Sequence, residues 1–215
     1  QDYTREINRA AAALARKAVD AYSEANPDRP VFVAGSLGPM NKSLSIGRDE
    51  NDPAKREVYF DEVMQAYYDQ VAYLVEGGVD LLLPETTFDV ANLKAALFAI
   101  EKYFEDHHVR LPVMASLTIF DGGRTLTGQE LAAAWNAISH ADLLSVGINC
   151  ALGPKEMRPY IEQLSDLASI NVSCYPNAGL PDELGEFPMS PADMAGYLSD
   201  WASQGWLNLV GGCCG

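Results

Sequence analysis

An α/β fold built on parallel strands is what this sequence predicts, and three observations carry the prediction. Six short β-rich runs alternate with amphipathic stretches of helical period. The runs are mostly apolar without strict alternation, as parallel strands covered on both faces are. Polar and unusual residues gather just after every run, at Asn41, Glu85, Asp121, Cys150, Asn177 and Cys213. The third observation selects the architecture, because a (β/α)8 barrel builds its site at the C-terminal rim from several strands at once. The competing open, doubly wound sheet would carry G-x-G-x-x-G after its first strand; "AGSLGPMNKS" stands there instead. The chain starts on a helical pattern and ends on a strand. The expectation is therefore a (β/α)8 TIM barrel that is incomplete, with strands three to eight present and the first two strands and last helix lacking. No linker or low-complexity stretch interrupts it, so residues 1–215 are expected to form one domain.

The expected strands lie at residues 31–36, 79–83, 112–118, 143–149, 170–175 and 207–211. In the helix expected over 57–76, Phe60, Val63, Met64, Tyr67, Val71, Leu74 and Val75 recur at three- and four-residue spacing, which places them on one face. Gly77-Gly78 supplies its stop. After Pro154 the same period runs through Met157, Ile161, Leu164 and Leu167. After Ser190-Pro191, an N-cap followed by proline in the first turn, it runs through Ala192, Ala195, Leu198 and Ala202.

Composition narrows the function classes. Of 215 residues, 48% are hydrophobic and 21% charged, an ordinary globular balance. A formal net charge of −15 argues against nucleic acid, whose phosphates need clustered Lys and Arg, and against an anionic membrane surface. No apolar run approaches the roughly 20 residues of a membrane span, and "QDYTREINRA" has no signal-peptide pattern. Four cysteines are too few for a disulfide scaffold, so a reducing cytoplasm is the expected compartment.

The chemistry concentrates in "LNLVGGCCG" at 207–215. Cys213-Cys214 could be buried structural thiols, half of a disulfide, or metal ligands. Cys150 ends another strand two units earlier, and the strand between them delivers Asn177. Three thiolates suit Zn²⁺, whose catalytic sites keep an exchangeable fourth position. Adjacent cysteines in a regular strand would face opposite ways, so Gly211, Gly212 and Gly215 are expected to bend the backbone and bring both thiols inward. Other signals fit structural roles. Cys174 lies within a strand and reads as a buried thiol. Asp106-His107-His108 and His140 close helices. "FDGGRTLTGQE" at 120–130 lacks the P-loop spacing and lysine and reads as a rim loop closing over substrate. Tyr67, Tyr68 and Tyr73 follow helix spacing and need only be packing.

Together "GINCALGP", "YPNAGLP" and "LVGGCCG" resemble the homocysteine S-methyltransferase barrels, and "SLGPMNKSLSI", "NDPAKREVYFDE" and "PETTFD" resemble the homocysteine-binding module of cobalamin-dependent methionine synthase within that family. The likeness runs over essentially the whole chain. The family's first two strands, with their Asp-Gly-Ala turn, and its final helix have no counterpart here. The resemblance implies that Cys150, Cys213 and Cys214 bind zinc, with Asn177 as a weak fourth ligand that substrate displaces. It implies that Glu85 takes the substrate's α-amino group, and Asn149 is expected beside it as a substrate contact. Homocysteine would bind as thiolate and accept a methyl group from methylcobalamin, forming methionine. The cobalamin and methyltetrahydrofolate modules would lie elsewhere in the parent chain. Two rival readings stay open: a cobalamin-independent methyltransferase using a sulfonium or betaine donor, and a non-catalytic thiol module that stores zinc or senses oxidants.

Overall fold

The computed structural model describes residues 3–47, 49, 51–52 and 54–215. Gln1 and Asp2 of the opening stretch and Pro53 of "NDPAKREVYFDE" lie outside them. Helices and strands alternate along the described chain, as the periodicity predicts. The first half runs α1 (Thr4–Ala25), β1 (Ala34–Leu37), α2 (Phe60–Glu76), β2 (Leu81–Pro84), α3 (Val90–His107) and β3 (Met114–Leu117). The second half runs α4 (Leu131–Ile138), β4 (Ser145–Asn149), α5 (Pro154–Leu167), β5 (Asn171–Tyr175), α6 (Pro191–Ser203) and β6 (Leu209–Val210). None of these helices is long and apolar enough to cross a membrane.

Every strand pairing is parallel. β1 pairs with β2, and β3, β4, β5 and β6 pair in chain order without the reversal of a doubly wound sheet. All six expected strands are present, each beginning a little later than the apolar run that announces it. At β1 the cause is Asp80. Its carboxylate accepts the Val33 N–H at 2.7 Å and is held by Arg16 at 2.8 Å, so the chain enters the sheet through a side chain before the ladder starts.

The backbone forms two compact units, residues 1–84 with 91–113, and residues 85–90 with 114–215. In the first, Val63, Tyr67, Val71 and Leu74 of α2 are buried as their spacing predicts, while Phe60 stays exposed. Gly77 ends that helix where α1 crosses it: a Cβ there would lie 2.4 Å from the Ala12 Cβ. In the second unit, β3 and β4 are buried at every position, the two-sided coverage their apolar runs imply. Gly147 on β4 sits opposite Ser173 on β5, and a Cβ at 147 would lie 2.3 Å from the Ser173 carbonyl oxygen, so only glycine lets these strands pair at this point.

One helix face departs from its expected position. Ala192, Ala195 and Ala202 of α6 are exposed, and Trp201 is the fully buried residue, flanked by half-buried Met194, Tyr197 and Leu198. An indole removes several times more apolar area from water than any one alanine methyl does, and it needs a single buried position to do so. The helix is therefore turned by its largest side chain. The N-cap is as expected: Ser190 Oγ accepts the Asp193 N–H, and Asp193 accepts from the Ser190 N–H in return.

Candidate metal centre

All the sequence-predicted site residues belong to the second unit: Glu85, Asn149, Cys150, Asn177, Cys213 and Cys214. Cys150 follows β4 directly, with φ +65°, and Ala151 follows at φ +61°. Two successive non-glycine residues in the left-handed region cost on the order of 1–2 kcal/mol each. Backbone bonds hold the turn, from Cys150 N–H to the Tyr175 carbonyl at 3.2 Å and from Leu152 N–H to the Cys150 carbonyl at 2.7 Å.

Cys213 and Cys214 follow β6, which stops at Val210. The strand rule that adjacent side chains oppose each other has lapsed by then, and the two sulfurs lie 4.0 Å apart. The expected role of the glycines needs correction here. Gly211 and Gly212 do not adopt positive φ; among these three only Gly215 does, at +107°. Gly211 is instead a matter of space, since a Cβ there would lie 2.7 Å from the Tyr175 ring. What positions the pair is hydrogen bonding along the β5 exit. Cys213 N–H donates to the Pro176 carbonyl, Cys214 N–H to Asn177 Oδ1 at 3.1 Å, and Ala178 N–H to the Cys214 carbonyl at 2.7 Å.

The three sulfurs of Cys150, Cys213 and Cys214 all lie within 4.8 Å of one another, with Cys150 to Cys214 at 3.8 Å. Two sulfurs on one tetrahedral zinc, each about 2.3 Å from it, stand about 3.8 Å apart. The trio thus has the spacing of ligands to a single ion. Among the described residues it is the one such cluster of His, Cys, Asp and Glu ligand atoms. Partial desolvation of its sulfur pushes the Cys213 thiol up to about 12, with Cys150 and Cys214 adding to the rise and the Asn149 amide opposing it. Cys214 is raised as well, by desolvation first and then by Cys150, with the Cys213 thiol opposing the rise. A bound cation would favour the deprotonated form of both raised thiols.

Glu85 is half-buried, and its charge adds to the desolvation that raises the Tyr175 phenol. The next residue, Thr86, has φ +55°, a left-handed conformation unusual for a β-branched side chain. Its turn is tied to β3 through Thr87, whose N–H donates to the Ser116 carbonyl and whose carbonyl accepts the Thr118 N–H. Asn149 is buried beneath the site. Its Oδ1 accepts from the Thr86 N–H at 2.9 Å and Ser116 Oγ at 2.7 Å, and its Nδ2 donates to Thr86 Oγ1 at 2.8 Å and Cys213 Sγ at 3.7 Å. Sequence reasoning passed over Thr86 and Ser116. A lone serine in the buried run "MASL" and threonines after Glu85 were the available signals.

The homocysteine S-methyltransferase family model matches residues 1–215. The chain belongs to the homocysteine S-methyltransferase family. Membership makes it a methyltransferase domain. Its fold is similar to the homocysteine methyltransferase MmuM from Escherichia coli in the apo form, with a TM-score of 0.77 at 24% identity over 99% of this chain and 69% of that one. The metallated form of MmuM gives 0.75 at 24%, over 98% of this chain and 66% of that one. A pyruvate carboxylase from Rhizobium etli shares the fold more distantly, at a TM-score of 0.52 and 13% identity, covering 99% of this chain and 17% of that one.

Most of the remaining candidates have structural partners. Cys174 is fully buried, 3.8 Å from the Met157 sulfur. Asp106 accepts from Lys102 and Tyr68, both at 3.0 Å, and His107 packs on the Tyr103 ring at 4.2 Å. His140 is exposed just after α4. The 120–130 loop braces itself through Arg124, which donates to the Gly128 carbonyl and pairs with Glu130.

Proposed function

We propose that this domain binds one zinc ion through Cys150, Cys213 and Cys214 and uses it to present homocysteine for methylation to methionine. The convergence of three sulfurs at the spacing of one tetrahedral ion supports the reading most strongly. In this reading the six strand–helix units correspond to the third through eighth of a (β/α)8 barrel, working as one domain. The methyl donor is methylcobalamin, carried on another module of the parent chain and recharged from methyltetrahydrofolate on a further one. The compartment is the reducing cytoplasm, where free thiols persist.

Zinc, when bound, supplies a Lewis acid that favours the deprotonated form of a substrate thiol whose free pKa is about 8.5. The protein's residues do the rest. Glu85 pairs with the substrate's α-ammonium and so fixes where the sulfur falls. Asn149 stands behind that contact. Asn177, already accepting the Cys214 N–H, has a second lone pair on Oδ1 to serve as the weak fourth ligand.

Zinc-edge X-ray absorption with and without homocysteine tests this directly. One zinc with three sulfur neighbours, rising to four on adding homocysteine, is the expected result. Glu85→Gln should keep the zinc and weaken homocysteine binding by about 10-fold or more, the worth of a charge-assisted hydrogen bond. Folded, reduced protein that takes up no zinc would remove the proposal. Three sulfurs with no response to homocysteine would favour a storage role.

A further inference from the structure

We propose that Asn149 is a positioning residue that locks the Glu85 turn and the Cys213 thiol into one rigid unit, and that its side-chain N–H is a hydrogen-bond donor to the metal-bound form of Cys213. The inference rests on the metal and substrate roles proposed above for Cys213 and Glu85.

An asparagine amide offers two acceptor sites on Oδ1 and two N–H donors. All four are engaged here, by the Thr86 N–H, Ser116 Oγ, Thr86 Oγ1 and Cys213 Sγ. The amide cannot be flipped. The Thr86 backbone N–H is only a donor, so the atom facing it is the oxygen, and the nitrogen therefore faces the sulfur. With its valences filled, Asn149 acts on substrate through Thr86 and Cys213 and not by contact of its own amide.

Its position explains a strain and a coupling. Thr86 sits at φ +55° with its backbone N–H and its hydroxyl both bound to the same amide, so Asn149, together with the Thr87 backbone bonds to β3, holds that turn and with it the adjacent Glu85. Ser116 on β3 orients the amide from behind, and Thr118 Oγ1 donates to the Asn149 carbonyl at 3.1 Å. The remaining N–H reaches Cys213. A donor on a coordinating sulfur withdraws electron density from it and fixes its direction, as outer hydrogen bonds do around metal sites. One buried side chain thereby sets the separation between the carboxylate for the amino group and a ligand of the ion that receives the sulfur.

The decisive measurement is made on the unaltered chain loaded with spin-half cadmium in place of zinc. Scalar coupling between cadmium and an Asn149 side-chain amide proton, transmitted through the sulfur, is the expected result. In parallel, Asn149→Asp keeps the acceptor and removes the donor. It should weaken metal binding by about 10–100-fold and weaken homocysteine binding in metal-saturated protein, with Ser116→Ala intermediate in both. Cadmium held by three sulfurs without that coupling, with Asn149→Asp unchanged in both affinities, overturns the role of Asn149 and leaves the metal site standing. Cadmium that does not engage the three sulfurs overturns the metal reading, and this inference with it. The coupling is read without any substitution, so a variant that fails to fold does not blunt the test.

Discussion

Four cysteines with two kinds of surroundings make the residue scale informative. Cys150, Cys213 and Cys214 lie together with solvent access, whereas Cys174 is fully buried on β5, and burial pushes its thiol far above the free value. The thiolate is the reactive form. A reagent must also reach the sulfur. In metal-free native protein, iodoacetamide should therefore modify the three accessible cysteines, slowly at Cys213 and Cys214, whose thiols are raised. Cys174 should react only in denaturant; mass spectrometry of the labelled peptides checks this. The same shift has a consequence for stability. Above about pH 8.5 the unfolded chain releases a proton from Cys174 that the folded chain keeps. The stability linked to this group is intact below that pH and is lost as pH rises through the alkaline range. Cys174→Ala should flatten that alkaline decline in denaturant titrations.

At the scale of elements, α6 shows how size overrides periodicity. Its alanines have the right spacing for an inward stripe, yet Trp201 holds the buried position and the alanines face outward. Trp201→Ala should cost about 3–5 kcal/mol, whereas Ala195→Ser should stay within about 0.5 kcal/mol; urea unfolding followed by circular dichroism distinguishes them. In α2 and α5 the apolar residues along the stripe are of similar bulk, and the spacing alone identifies most of the buried face: Val63, Tyr67, Val71 and Leu74 in one, Met157, Ile161 and Leu164 in the other. Strand identity was equally legible, because runs such as "MASL" and "SVGIN" are buried on both faces and carry that in their composition. Strand starts were less so, since Asp80 intervenes at β1 through a contact 47 residues distant in sequence.

For the whole molecule, the metal reading makes a thermodynamic prediction. An ion bound only by the native state stabilises by mass action, about 2.7 kcal/mol at a free concentration 100 times Kd. All three proposed ligands and all three tryptophans, Trp135, Trp201 and Trp206, belong to the second unit. Chelation of zinc should therefore lower the thermal transition followed by tryptophan fluorescence, and restoring zinc should return it. By itself the sequence determined the alternation of helices and parallel strands, the family, and the cysteines that meet, because apolar period and a motif such as "LVGGCCG" are local properties of the chain. Only the tertiary structure decided what holds those cysteines in place. The bonds from Asn149 to Thr86, Ser116 and Cys213 span 63, 33 and 64 residues. Periodicity reports which face of an element is apolar; which buried polar atoms find one another across separate strands is set by register and packing.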